Sequence, residues 1–156
     1  MNDLTILNLG CDKHIEAAQR NYLLIKKLNP FLLDKIIFVT DKPVTINKEF
    51  FPNVLAVESN NYSERILKAL EKVNTPYVMH FLDDDFIVGK TNKEDLQKLL
   101  AFLTENNLNY CKLIGIPKGK KVFKPKFVSN SGKIYKLKYN RKYGMSLQPS
   151  IWQKIL

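Results

Sequence analysis

Three consecutive carboxylates, Asp83-Asp84-Asp85, stand directly after the apolar run Tyr77-Val-Met-His-Phe-Leu82. The run is short, rich in aromatic and β-branched residues and preceded by Pro76, so it reads as a buried strand. Acids packed together at the end of such a strand repel one another and lose hydration, a cost that a bound cation offsets. Hard oxygen donors at that spacing suit Mg²⁺ or Mn²⁺, which in turn binds a diphosphate. An exposed acidic turn is the bland alternative.

The rest of the chain decides what surrounds that strand. At 156 residues it is expected to be one domain. Strand-like and helix-like segments alternate: strands at 5–9, 35–40, 53–57, 77–82 and 110–116, and helices at 15–28, 62–73 and 92–105. The second helix carries Ile66, Leu67, Leu70 and Val73 at helical spacing, with Ser63 as its expected cap. This order predicts an α/β fold, a mainly parallel sheet flanked by helices on both faces. No apolar stretch approaches the roughly 18 residues of a membrane span. Cys11 and Cys111 form no metal spacing and fit a reducing cytoplasm, and two histidines, His14 and His80, exclude a histidine-rich metal site.

Charge is segregated. Residues 1–116 hold 14 basic and 15 acidic side chains, whereas residues 117–156 hold 11 basic ones and no acid. The surplus of the last quarter attracts anions: nucleic acid, phospholipid headgroups or phosphorylated sugars. Its interleaved aromatics (Phe123, Phe127, Tyr135, Tyr139, Tyr143) also suit base stacking, and a solvated lysine-rich hairpin is the plain alternative. A hairpin-like excursion over residues 118–142, turning at Ser129-Asn-Ser-Gly132, is expected.

Several polar residues fall at the carboxyl ends of strands, where open α/β sheets bind ligands. Asp12 and Asp41 follow the first and second strands and read either as acceptors for a base or ribose or as turn residues. Arg65, in the first turn of the second helix, faces a phosphate together with free backbone N–H groups, or is a surface residue paired with Glu58 or Glu64.

The stretch Asn60-Asn-Tyr-Ser-Glu-Arg-Ile-Leu-Lys-Ala-Leu-Glu-Lys-Val-Asn-Thr-Pro-Tyr-Val-Met-His-Phe-Leu-Asp-Asp-Asp-Phe86 resembles the core of GT-A fold nucleotide-sugar glycosyltransferases, in particular bacterial enzymes of surface and capsular polysaccharide synthesis. Ser146-Leu-Gln-Pro-Ser-Ile-Trp152 resembles that family's Ser-Leu-Gln-x-x-Ile-Trp stretch. The resemblance implies a Rossmann-like GT-A domain with a nucleotide-sugar-binding core at 1–116 and a basic acceptor-side segment at 117–156. It implies a metal-dependent transfer of sugar from a nucleotide-sugar to a polysaccharide or lipid-linked acceptor. The aspartates match the family's DxD motif, with Asp83 and Asp85 as metal ligands. Relatives reading Leu-Asp-Asp-Tyr instead align Asp83 and Asp84 with their acids. Asp12, Asp41, Ser63, Arg65, Asp83 and Asp84 take donor-binding positions.

The carboxylate base of inverting relatives lies past the Ile-Trp segment. Here Leu156 stands four residues past Trp152 and no acid follows Glu105, so the base is expected beyond Leu156. The chain therefore resembles the donor portion of a longer enzyme whose last helix is a stub. Cytoplasmic placement, peripheral at the inner membrane surface, follows from the same resemblance. Asp83-x-Asp85-x-Ile-Val also resembles the first motif of haloacid-dehalogenase phosphoryl-transfer enzymes, which carry it on an early strand with a late pair of acids. A non-catalytic protein binding nucleic acid or membrane through the basic segment is the reading from another class.

Overall fold

Parallel strands joined by helices organise the computed structural model, which describes residues 3–42, 50–113, 126–127, 135–136 and 149–154. In chain order the strands are β1 (Leu4–Leu9), β2 (Ile36–Thr40), β3 (Val54–Ala56), β4 (Tyr77–Leu82), β5 (Tyr110–Lys112), β6 (Lys126–Phe127), β7 (Tyr135–Lys136) and β8 (Ser150–Gln153). The helices are α1 (Ile15–Leu28), α2 (Tyr62–Glu71) and α3 (Lys93–Glu105). Six strands form one sheet in the order β3-β2-β1-β4-β8-β5. The first four are mutually parallel, and β8 runs antiparallel between β4 and β5. The fold is Rossmann-like, as the resemblance implied, and its mainly parallel sheet with flanking helices is what the alternating pattern predicted.

Alternation along each strand sends side chains to two cores. Leu4, Ile6, Met79 and Phe81 pack with Ile25 of α1 and with Leu96, Leu100 and Leu103 of α3 on one face. Leu7, Leu9, Val39 and Val78 pack with Ala69 and Val73, at and just past α2, on the other. Full burial of side chains such as Phe38 and Phe81, both within 1% of complete, stabilises the fold by about 1.5–3 kcal/mol each.

Three local expectations change. Asn61 rather than Ser63 caps α2, its Oδ1 accepting from the backbone N–H groups of Ser63 and Glu64. Both residues are cap-competent, and the one just before the first helical turn wins. Leu67 is 63% exposed, so the buried face of α2 runs through Ile66, Ala69 and Leu70. Residues 150–153 form a strand, not the stub of a helix, because the gap between β4 and β5 offers ladder partners on both sides. β6 and β7 pair antiparallel with Phe127 opposite Tyr135, the ladder expected of the basic hairpin. Its turn at 129–132, the residues 146–148 of the Ser-Leu-Gln match and the end of the strand expected at 110–116 lie outside the described residues. Leu156, past which the carboxylate base is expected, lies outside them too.

Candidate functional site

The carboxyl ends of β1, β2 and β4 and the start of α2 gather the charged residues. Asp83 extends the parallel ladder, its N–H donating to the Leu9 carbonyl at 3.0 Å. Asp85 closes a turn back on the strand: its N–H donates to the Leu82 carbonyl at 3.1 Å, and its Oδ2 accepts from the Leu82 N–H at 3.0 Å. The three aspartates therefore differ. Asp83 is buried, Asp84 is exposed, and Asp85 is half-buried with one oxygen committed to the turn.

Asp83 carries the most informative atom of the molecule. Its side chain is 9% exposed, yet Oδ2 has no hydrogen-bond partner among the described residues. His14 Nδ1 lies 3.5 Å away, an electrostatic contact too long for a good hydrogen bond. Burial pushes the Asp83 carboxyl above the usual carboxylate range, and Asp84 adds to that. His14 and hydrogen bonds from the backbone of Cys11 and Asp84 pull the other way without cancelling it. An orphaned, desolvated carboxylate oxygen is the atom a cation would satisfy. Gly10 leaves the room: a Cβ there would stand 2.9 Å from that oxygen.

Asp41 and Asp12 are joined, the Asp12 N–H donating to Asp41 Oδ1 at 2.9 Å. Burial pushes the Asp41 carboxyl up, but hydrogen bonds from the Asp12 and Asp41 backbone and the Thr40 hydroxyl, with Arg65 nearby, hold it below its ordinary value. Asp41 is thus an ionised acid shaped by its turn. The Asp12 carboxylate lies 3.3 Å from Lys42 Nζ at the surface.

Arg65 is half-buried, its Nη1 donating to the Ser59 carbonyl at 3.4 Å and its guanidinium 5.9 Å from the centre of the Tyr62 ring. Glu64 pairs with Lys68 at 3.1 Å and accepts from Ser59 Oγ at 2.6 Å, so it is not the partner of Arg65. The backbone donors expected to be free at this helix start are occupied: Ser63 and Glu64 by the Asn61 side chain, and Arg65 by the Asn61 carbonyl. The guanidinium, not a ring of open N–H groups, is what α2 offers to an anion here. Ser63 is exposed.

Two features escaped the sequence reading. Tyr62 has a buried hydroxyl with no partner among the described residues, and burial pushes its pKa up to about 12, with Asp85 and Asp83 adding to the rise and Arg65 opposing it. It sits within electrostatic reach of both the arginine and the aspartates. Asn21, midway along α1, and Asn29, its C-cap, clamp the loop that follows the aspartates. Asn21 donates to the Asp85 carbonyl at 2.9 Å and accepts from the Ile87 N–H at 3.1 Å. Asn29 does the same for the Gly89 carbonyl at 2.9 Å and the Thr91 N–H at 2.6 Å. The signal available in the sequence was a pair of asparagines eight residues apart beside an apolar helical face.

Cys11, set aside above as a metal ligand, lies with His14 and Asp83 in a group whose donor atoms are all within 4.8 Å of one another. His80 is buried beneath the other face, with the Ser150 hydroxyl 3.2 Å and the Trp152 indole N–H 3.1 Å from its Nδ1. A hollow of about 710 Å³ opens at the opposite ends of the strands, among Thr5, Lys35, Leu55 and Lys72, away from the aspartates. The carboxylate base expected beyond Leu156 has no counterpart to describe, because the described residues stop at Lys154. Among the described residues no helix is long and apolar enough to cross a membrane.

A Rossmann-like sheet with an acid- and arginine-lined carboxyl edge is the class this arrangement defines. No protein-family model matches the chain, and no curated protein matches its sequence. Among solved structures it is similar to TarS residues 1–349 of S. aureus, with a TM-score of 0.51 and 17% identity over 96% of this chain. It spans about half of that structure, 47%. The bifunctional IspDF of Campylobacter jejuni aligns at a TM-score of 0.43 and 17% identity, over 97% of this chain and 41% of that one, too loosely to carry weight. At these identities the likeness to TarS is one of fold.

Proposed function

We propose that this chain is the donor-binding portion of a divalent-metal-dependent glycosyltransferase, transferring sugar from a nucleotide-sugar to a polysaccharide or lipid-linked acceptor. The buried Asp83 Oδ2 at the carboxyl end of β4, without a hydrogen-bond partner among the described residues, is the observation that carries this reading. Asp83 supplies a desolvated oxygen suited to a cation, and Asp84 and Asp85, next in the chain, are the carboxylates we assign to complete its coordination. A divalent ion held there supplies neutralising charge for a departing diphosphate. Arg65 adds a fixed positive charge on the donor side, and the ionised Asp41 accepts hydrogen bonds from a base or ribose. Tyr62 keeps its proton at neutral pH, so its hydroxyl remains a donor facing the same charges. The basic β6–β7 hairpin, with Lys126 opposite Lys136, is assigned to an anionic acceptor or the membrane surface that carries it. The aspartates follow the fourth strand rather than the first, which disfavours the haloacid-dehalogenase arrangement.

The test is thermal unfolding with nucleoside diphosphates and nucleotide-sugars, in Mn²⁺ or Mg²⁺ against chelator. At 100 times Kd a ligand specific for the native state adds about 2.7 kcal/mol, or roughly 5–11 °C for a chain of this size. Asp83→Asn combined with Asp85→Asn should keep the fold and erase the metal-dependent part of the shift. Equal shifts with and without metal would refute the proposal.

A further inference from the structure

Cys11, His14 and Asp83 are brought together by two independent pieces of backbone. Cys11 and His14 flank a short 3₁₀ turn in which the His14 N–H donates to the Cys11 carbonyl at 3.1 Å. The turn brings the Cys11 and His14 side chains to one place, where their donor atoms meet that of Asp83. Asp83 arrives through the β1–β4 pairing, one residue past the Leu9–Leu82 register. The Cys11 Sγ, an imidazole nitrogen of His14 and a carboxylate oxygen of Asp83 all fall within 4.8 Å of one another. Tetrahedral bonds of about 2.0–2.3 Å place ligand atoms roughly 3.3–3.7 Å apart. The 3.5 Å between His14 Nδ1 and Asp83 Oδ2 already matches that edge. Cys11 is half-buried and His14 exposed, so the sulfur can close the remaining distance by side-chain rotation.

A second observation points to a ligand in the same place. Asp83 Oδ2, on a side chain more than nine-tenths buried, faces this group with no hydrogen-bond partner among the described residues. Gly10 keeps the space beside it open, since a Cβ would come within 2.9 Å of the same oxygen.

We propose that Cys11, His14 and Asp83 form a three-ligand site for a borderline transition ion, Zn²⁺ foremost, with the fourth position open. One thiolate, one imidazole and one carboxylate are a donor set that Zn²⁺ takes and that Mg²⁺ does not. Three protein ligands and one open position are the composition of exchangeable rather than closed zinc sites. Binding releases the Cys11 thiol proton to solvent and changes no oxidation state. Asp83 is shared with the donor site above, so one ion at a time takes its oxygen; Cys11 and His14 play no part there and the test contains no nucleotide, so either proposal can fail alone.

The reduced protein is titrated with Co²⁺ alone, following the thiolate-to-cobalt charge-transfer band in the near ultraviolet. One equivalent should produce the band, and Zn²⁺ should displace it. Cys11→Ser should abolish it, His14→Gln should weaken Co²⁺ binding at least tenfold, and Cys111→Ser should change neither. No band at saturating Co²⁺, or a band kept in Cys11→Ser, overturns the site, as does one untouched by His14→Gln. A second readout uses the unmutated chain, should a variant fail to fold. Zn²⁺ should slow alkylation of Cys11 but not of Cys111, measured peptide by peptide by mass spectrometry. Equal alkylation of Cys11 with and without Zn²⁺ overturns the proposal too.

Discussion

Gly10→Ala inserts one methyl group where the structure has no space for it. The added Cβ would stand 2.8 Å from Phe38 Cε2 and 2.9 Å from Asp83 Oδ2. Neither neighbour yields easily. Phe38 is fully buried and stacked on Phe51 with ring centroids 4.5 Å apart, and Asp83 is anchored to Leu9 through its own N–H. Gly10 is itself tied, donating to the Val39 carbonyl at 2.9 Å. Overpacking of this kind costs about 1–3 kcal/mol. At roughly 2–4 °C per kcal/mol, the melting temperature should fall by about 2–12 °C. Urea titration should show a lower midpoint at unchanged slope, as for a change in native-state packing alone. Trimming the ring should relieve the clash, so Gly10→Ala in a Phe38→Leu background should cost at least about 0.5 kcal/mol less than alone. A Gly10→Ala protein within about 0.5 kcal/mol of the parent would refute the close approach of β1, Phe38 and Asp83.

Arg65→Ala should weaken nucleotide binding by about 1.5–3 kcal/mol, roughly 10- to 150-fold by calorimetry, while stability changes by less than about 1 kcal/mol. Lower stability with unchanged affinity would remove Arg65 from the donor site. Burial raises the pKa of Asp83 in the folded state, so the native protein holds that proton more tightly than the unfolded chain. The associated stability is complete below the unfolded value near 3.8 and is lost as pH rises through the folded pKa. Metal-free Asp83→Asn should therefore be more stable than the parent at pH 7, with the gain vanishing below about pH 4, and a pH-independent gain would contradict this. Asn21→Ala strips partners from the Asp85 carbonyl and the Ile87 N–H and should cost about 2–4 kcal/mol in urea unfolding. A loss under about 1 kcal/mol would mean the loop is held by other contacts.

Strands and helices of the first two-thirds were legible because their apolar periods are clean. β4 and α1 have the predicted bounds, and α3 differs only in that Asn92 caps it, its Oδ1 accepting from the Glu94 N–H at 2.8 Å. The aspartate tip was legible for the same reason, as a strand end that runs into charge. What was hidden depends on pairings remote in sequence. Nothing in Ser150-Ile-Trp-Gln153 names β4 and β5 as its neighbours, and so short a segment, with two apolar residues between two polar ones, is compatible with helix or strand. Asn21 looks like a solvent-facing helix residue until the loop at 85–87 supplies its partners. Cys11 and His14 carry no metal spacing by themselves, because the third member stands some 70 residues away across the β1–β4 ladder.

The position of β8 has a consequence for synthesis. Among the described residues β5 hydrogen-bonds within the main sheet only to β8, and the outer edge of β4 is closed by that same strand. When residue 112 leaves the ribosome, the parallel half of the sheet has all its members, but one flank of β4 has none of its partners. The next 37 residues before β8, rich in lysine, take about 2–8 s at 5–20 residues per second. For that interval the nascent chain presents an unpaired apolar edge, the template on which strands of neighbouring chains assemble. The pace of translation through the lysine-rich stretch sets how long the edge stays open.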